Sequence, residues 1–249
     1  MGNSTKTQWF TARDIIVDSF PGVGESNRHS SGSGLHKISF IGKLQYWENF
    51  TVEVRAAFNS VNWDKHRRNI AARTRTGKDL NYTEYFLCGA EISTMPQATN
   101  KKEEKGEKSV LDYAVLVQKE MHALGEAKHP WGTTPELYIN NAAEEKPPAQ
   151  KLRRFLGQVA RDMWAADVKY AFMTNYSWTV FLRREKVNGT WTLFYSDAIS
   201  HKTRSIPHKK GKGSVSVREC MLFLMITICQ RGYLHGSQGS TAQLSVGSR

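Results

Sequence analysis

The sequence predicts an α/β (or α+β) protein built on a mixed central sheet, and three observations carry that expectation. Short runs rich in β-branched and aromatic residues alternate with two longer stretches of helical periodicity. Polar turn signals, Gln118-Lys119-Glu120 and Asn188-Gly189, separate neighbouring apolar runs and mark antiparallel hairpins. With 39% apolar and 11% aromatic residues in a chain of 249, there is enough material for one large core with long polar loops.

Residues 1–43 read as an irregular extension, with Ile15 to Phe20 a short strand or helical turn and Pro21 to Gly34 a Gly/Ser loop. The loop's GVGES lacks the G-K-[ST] ending of a phosphate loop and has no strong strand before it. A domain over 44–235 follows. From Leu44 to Ala57 apolar residues recur at helical spacing, among them Phe50 and Val54, with Glu53 off that stripe and Glu48 behind it. His66-Arg67-Arg68, Arg73, Arg75 and Lys78 form a basic stretch that suits phosphate contacts or a solvated loop. Tyr85 to Cys88 has strand character and is expected to open the sheet. Pro96 to Lys108 is a Lys/Glu-rich insertion expected to be mobile.

The stretch from Ser109 to Trp131 organises the rest. Tyr113 to Val117 suits a buried strand, and Met121 to Lys128 its antiparallel partner. Gly132 to Pro148 is a proline-bearing loop with a brief ordered turn at Glu136 to Ile139. Lys151 to Ala166 is the principal helix: Leu152, Leu156, Val159 and Met163 make its apolar stripe, while Arg154, Gln158 and Arg161 fall together on an adjacent one. Tyr170 to Thr174, Thr179 to Arg183 and Thr190 to Tyr195 read as further strands. His201 to Gly213 is a basic loop, and Ser214 caps or shortly precedes a last helix over Val217 to Gln230. The tail, 236–249, is Gly/Ser/Gln-rich and expected to be disordered.

The hairpin also carries chemistry. Side chains alternate along a strand, so Glu126 and Lys128 share a face and Ala127 points the other way. Asp112, 14 residues earlier, heads the first strand and can fold back beside them. Two carboxylates, an ammonium and the Ala127 carbonyl then meet at one end of a sheet. Mg²⁺ takes hard oxygen ligands of this kind together with substrate phosphate, and a neighbouring lysine can orient water or neutralise developing charge. An E-x-K triplet alone is weak, since the chain holds two more, at Glu103 to Lys105 and Glu144 to Lys146. Those lie in charged or proline-flanked loops and read as solvated charge. Only Glu126-Ala127-Lys128 ends an apolar strand, where a charge is rarely placed unless paired or metal-bound. The bland reading is a salt bridge at a sheet end.

These residues, Asp112 with Glu126-Ala127-Lys128, resemble the D…(D/E)-x-K hairpin of the PD-(D/E)XK nuclease superfamily. Downstream, KLRRFLGQVARDMWAADVKYAFMTNYSWTVFLRRE is similar to the end of nuclease-like domains in uncharacterised fungal proteins. The resemblance covers residues 109–195 and implies a restriction-endonuclease-like αβββαβ core. It implies a Mg²⁺ (or Mn²⁺) held by Asp112, Glu126 and the Ala127 backbone, with Lys128 as catalytic lysine. Gln158 would match the helix glutamine that some branches place beside the site, and Glu53 would be the extra acid from the helix before the sheet. Leu111 stands where the family has proline, and Asp162 where the Q-x-x-x-Y pattern has its aromatic.

An excess of 35 basic over 23 acidic residues, net +12, favours an anionic partner. Nucleic acid is the expected one, DNA ahead of RNA, through Arg154, Arg161, Lys209, Lys210 and Lys212. The expected function is a metal-dependent nuclease; the alternative is a catalytically inactive nuclease-fold module that binds nucleic acid or a protein. Cys88, Cys220 and Cys229 show no metal-ligand spacing and cannot all pair, which points to an intracellular setting, nucleus or cytoplasm. The longest apolar run, Cys220 to Cys229, is too short for a membrane span and reads as a buried helix. Met1-Gly2 is followed by Lys6 where a myristoylation signal needs Ser or Thr.

Overall fold

A computed structural model describes residues 9–19, 38–63, 70–71, 90–94, 112–117, 119–128, 135–142, 149–209 and 212–236. In chain order the elements are β1 (Trp9–Phe10), α1 (Ala12–Val17), β2 (Lys43–Tyr46), α2 (Phe50–Ser60), β3 (Ile70–Ala71), β4 (Ala90–Thr94), β5 (Tyr113–Val117) and β6 (Glu120–Ala127). There follow α3 (Pro135–Asn140), α4 (Gln150–Ala165), β7 (Tyr170–Thr174), β8 (Trp178–Val187), β9 (Thr190–Tyr195), β10 (Ile199–Ser200), β11 (Ile206–Lys209), β12 (Lys212–Ser214) and α5 (Val217–Gly236). The main sheet has eight strands in the order β2-β9-β8-β7-β6-β5-β4, with β10 beside β8. Two of its pairings, β6 with β7 and β2 with β9, are parallel and the others antiparallel. The chain is therefore mixed α/β on a mixed sheet.

Helices cover both faces. On one face α4 lays Leu152, Phe155, Leu156, Val159 and Met163 onto Leu124, Ala171, Met173, Val180, Leu182 and Leu193. These helix positions are three and four apart, so one stripe meets the sheet. Gly157 lets the backbone at Ile38 and Ser39 lie directly on α4, where a Cβ would strike the Ile38 carbonyl. On the other face α2 and α5 bury Phe50, Val54, Cys220, Phe223, Leu224 and Ile228 against Val115, Phe172, Phe181 and Phe194. Strand β7 lies beneath both layers and is buried along nearly its whole length, as its unbroken apolar run requires. The apolar run from Cys220 to Cys229 lies in α5 and is largely buried, and no helix among the described residues is long and apolar enough to cross a membrane.

Several expectations shift in three dimensions. Lys43–Tyr46 is a strand, parallel to β9 at the sheet edge, and the helix expected from Leu44 begins only at Phe50. Edge pairing overrides the periodicity there, because a four-residue strand is decided by its neighbour. The described strand that precedes the β5–β6 hairpin is Ala90–Thr94, paired with β5; Tyr85 to Cys88 lies outside the described residues. The basic segment expected as a loop contains the β11–β12 hairpin. Ser214 shortly precedes α5, and the cap is Ser216: its Oγ accepts the Glu219 N–H at 3.1 Å while Glu219 Oε2 accepts the Ser216 N–H at 2.8 Å, a reciprocal capping box. The extension assigned to 1–43 includes α1, whose Ile16 is buried with Phe58 and Leu222.

Candidate active site

Strand β6 runs antiparallel to β5 with Tyr113 opposite Gly125 and Ala114 opposite Leu124. One residue further out, that register sets Asp112 across from Glu126. Like charges facing each other across a strand pair are destabilising unless something offsets them. Leu124 packs under α4, so Glu126 and Lys128, two and four residues on, point to the α4 face as well.

There the side chains meet. Lys128 Nζ donates to Glu126 Oε1 at 2.6 Å and to Gln158 Oε1, on α4, at 2.7 Å. Glu126 and Gln158 are only 4% and 8% exposed, and the Lys128 side chain 11%. The second carboxylate oxygen, Glu126 Oε2, is buried with no hydrogen-bond partner. Asp112 Oδ2 accepts the Ala127 N–H at 2.7 Å, and Thr174 O accepts the Lys128 N–H at 2.7 Å. In an extended strand a residue's N–H and C=O point to the same side, so the Ala127 carbonyl faces the Asp112 side too. Burial pushes the Glu126 carboxyl above its ordinary range; the Lys128 ammonium pulls it down, and Asp112 and Asp162 push it up again.

Asp162, which stands where the Q-x-x-x-Y pattern has its aromatic, adds a further carboxylate near the group. One helical turn beyond Gln158, it is 4% exposed, binds Arg161 Nε at 3.0 Å and acts electrostatically on Glu126. The i, i+4 spacing from Gln158 was the available signal.

Other expected site residues stand elsewhere. Glu53 accepts the Trp47 indole N–H at 3.0 Å and faces Arg183 at 3.5 Å, among the α2 residues that cover the opposite face of the sheet from Glu126. It is not brought to the cluster, because the amphipathic helix turns it toward Arg183. Arg154 is exposed on α4, and Arg161 is engaged with Asp162. Lys209 and Lys212 lie in the β11–β12 hairpin, whereas Lys210 and the stretch from His66 to Arg68 fall outside the described residues. No group of three or more His, Cys, Asp and Glu with metal-binding geometry occurs among the described residues. The chain matches no family model, no curated protein and no solved structure.

Proposed function

We propose that this chain is a metal-dependent nuclease of the PD-(D/E)XK type that hydrolyses phosphodiester bonds of DNA, with RNA as the second candidate. The observation that carries the reading is the hydrogen-bonded group Glu126–Lys128–Gln158, with Asp112 on the adjoining Ala127 amide, at the carboxyl end of a buried strand. The β4–β5–β6 meander, the α4 crossover and β7 parallel to β6 support reading the sheet as an αβββαβ core. Ligand sites in open α/β sheets lie at the carboxyl ends of strands, as this group does.

The donor set fits Mg²⁺ or Mn²⁺. Asp112 and Glu126 offer hard oxygens, the Ala127 carbonyl faces the same side, and Glu126 Oε2 is buried without a hydrogen-bond partner that a cation would replace. Bound there, the ion supplies charge stabilisation and water activation. Lys128, its ammonium held by Glu126 and Gln158, would orient the attacking water or offset the charge that develops as the water–phosphorus bond forms and the P–O ester bond breaks. Gln158 fixes the direction of that ammonium by accepting one of its N–H groups. Arg154 and the β11–β12 lysines attract the backbone with an affinity that falls steeply with salt.

Incubation of plasmid and linear DNA with Mg²⁺, set beside Lys128→Ala and Glu126→Gln, tests the reading. The parent is expected to cut and both variants to lose cutting by orders of magnitude while staying folded. Equal cutting by all three would refute the assignment. Binding of metal and nucleic acid without cutting by the parent would identify an inactive module instead.

A further inference from the structure

The carboxyl end of α1 is received by an ordered row of donors. Four consecutive residues each present one oxygen to it. Arg218 Nη1 donates to Ile15 O at 2.8 Å, Ser216 Oγ to Ile16 O at 2.6 Å, and the Ser205 N–H to Val17 O at 2.9 Å. Arg204 Nε ends the row, 2.9 Å from Asp18 Oδ1. The donors come from two segments, the approach to β11 and the amino-terminal turn of α5. Arg55 fastens these segments together through Glu219, Ser205 Oγ, Ile206 O and Ser214 O. The row is therefore part of the domain's own framework and does not depend on α1.

The grip on α1 is light. The helix has six residues, too few to be stable by itself. Ile16 is buried against Phe58 and Leu222 with Val17 packed beside it, while Arg13 and Asp14 are exposed. The side chains of Asp18 and Arg204 are 43% and 73% exposed, and ion pairs so placed contribute little. A segment held this way opens at a lower free energy than the sheet does. Opening uncovers positive charge: Arg204 and Arg218 each lose an oxygen acceptor, and Lys202 nearby in the chain is exposed.

We propose that α1 is a displaceable latch over a nucleic-acid surface: a phosphodiester backbone takes Arg204, the Ser205 N–H, Ser216 Oγ and Arg218 in place of the α1 oxygens. Arginine, hydroxyl, backbone N–H and a helix N-terminus are the donor types that hold DNA phosphates. A row filled by four successive residues of one chain matches a linear polymer better than a single ion or a lipid headgroup. The row lies with α5, on the sheet face opposite Glu126 and Lys128. It is thus a second contact, adding affinity without touching the reacting phosphate. The proposal rests on the nucleic-acid partner of the nuclease reading and not on the catalytic lysine.

Fluorescence anisotropy of a short labelled DNA duplex, in EDTA at low salt, reads the latch without cleavage. Ile16→Ser removes the apolar anchor and leaves the net charge unchanged. It is expected to tighten binding by about tenfold or more, because the open state is the minor one in the parent. Adding Arg204→Ala should cancel that gain. Asp18→Asn keeps the anchor and is expected to gain about two- to fivefold. Glu136→Gln, at an exposed carboxylate on α3, makes the same charge change and should gain less. In the parent, saturation with the duplex should speed amide exchange across residues 14–17 and leave α4 unchanged. Unchanged affinity of a folded Ile16→Ser, a gain that survives Arg204→Ala, an Asp18→Asn gain no larger than that of Glu136→Gln, or α1 amides that stay protected in the complex overturns the proposal. So does a gain on anionic phospholipid vesicles with none on DNA, which would give the row to a membrane. If Lys128→Ala abolishes cutting while Ile16→Ser binds DNA as the parent does, the nuclease reading stands and the latch falls. If Ile16→Ser gains as expected and the parent does not cut, the latch stands and the nuclease reading falls.

Discussion

Lys128 and Gln158 are 30 residues apart in the chain, and their side chains meet at 2.7 Å. One belongs to the end of a sheet strand and the other to the helix that crosses over it. The contact converts a sheet-end lysine into a fixed ammonium, since its other neighbour, Glu126 Oε1, lies 2.6 Å away. A lysine held from two sides has lost most of its rotamer freedom on folding, which is the cost of aiming it.

That cost should be measurable. Gln158→Ala removes an acceptor from a buried charged donor, and a loss of about 1–3 kcal/mol of stability is expected. A double-mutant cycle with Lys128→Met, followed by urea unfolding, should return a coupling of about 0.5–3 kcal/mol. Additive single effects would mean that the contact does not form in solution.

Metal binding has a readout that does not need activity. Mg²⁺ or Mn²⁺ at about 100 times its dissociation constant should raise the melting temperature by on the order of 5–10 °C. Asp112→Asn should abolish the rise. A rise that survives in Asp112→Asn would place the ion elsewhere.

Glu126 gives the pH dependence its sign. Burial holds its carboxyl above the ordinary range in the folded chain, so between the unfolded and folded pKa values the native state binds more protons. Stability from this group is therefore greatest at low pH and is lost as pH rises through the folded value. Urea unfolding of the parent and of Glu126→Gln should diverge in that window, in favour of the Gln variant as pH rises, and run parallel outside it. A difference that stays constant from acid to neutral pH would show that the carboxyl is not perturbed.

Arg55 ties three segments together on the opposite face of the sheet. Its guanidinium donates to Glu219 Oε1 at 2.8 Å, Ser205 Oγ at 2.7 Å, Ile206 O at 3.1 Å and Ser214 O at 2.7 Å. Glu219 is fully buried, so Arg55→Met leaves a carboxylate without its charge partner. A loss of about 3–5 kcal/mol is expected, with faster amide exchange across residues 206–214. Exchange in that hairpin at the parent's rate would remove Arg55 as its anchor.

Gly157→Ala opposes two effects. Helix propensity favours alanine by about 1 kcal/mol, but the new Cβ would run into the Ile38 carbonyl, where backbone cannot yield cheaply. Net destabilisation in a thermal melt is expected, and a stabilised variant would mean that the segment at Ile38 does not rest on α4.

Local pattern alone located β5, β7 and β9, the greater part of β6, and α4 to within a residue or so, because each is a run whose burial follows from its own period of two or 3.6. It also placed Glu126 and Lys128 on one face, since that alternation is a property of any strand. What it could not decide was which distant surfaces meet. The strand at Lys43–Tyr46 exists because β9 offers it an edge, and Glu53 is drawn to Trp47 and Arg183 rather than to Glu126. Asp162 stands in the pattern only as a departure from its aromatic, and the docking of α4 on β6 brings it within electrostatic reach of Glu126. Periodicity is written in neighbouring residues, whereas a site is made by contacts between segments whose separation the chain order does not encode.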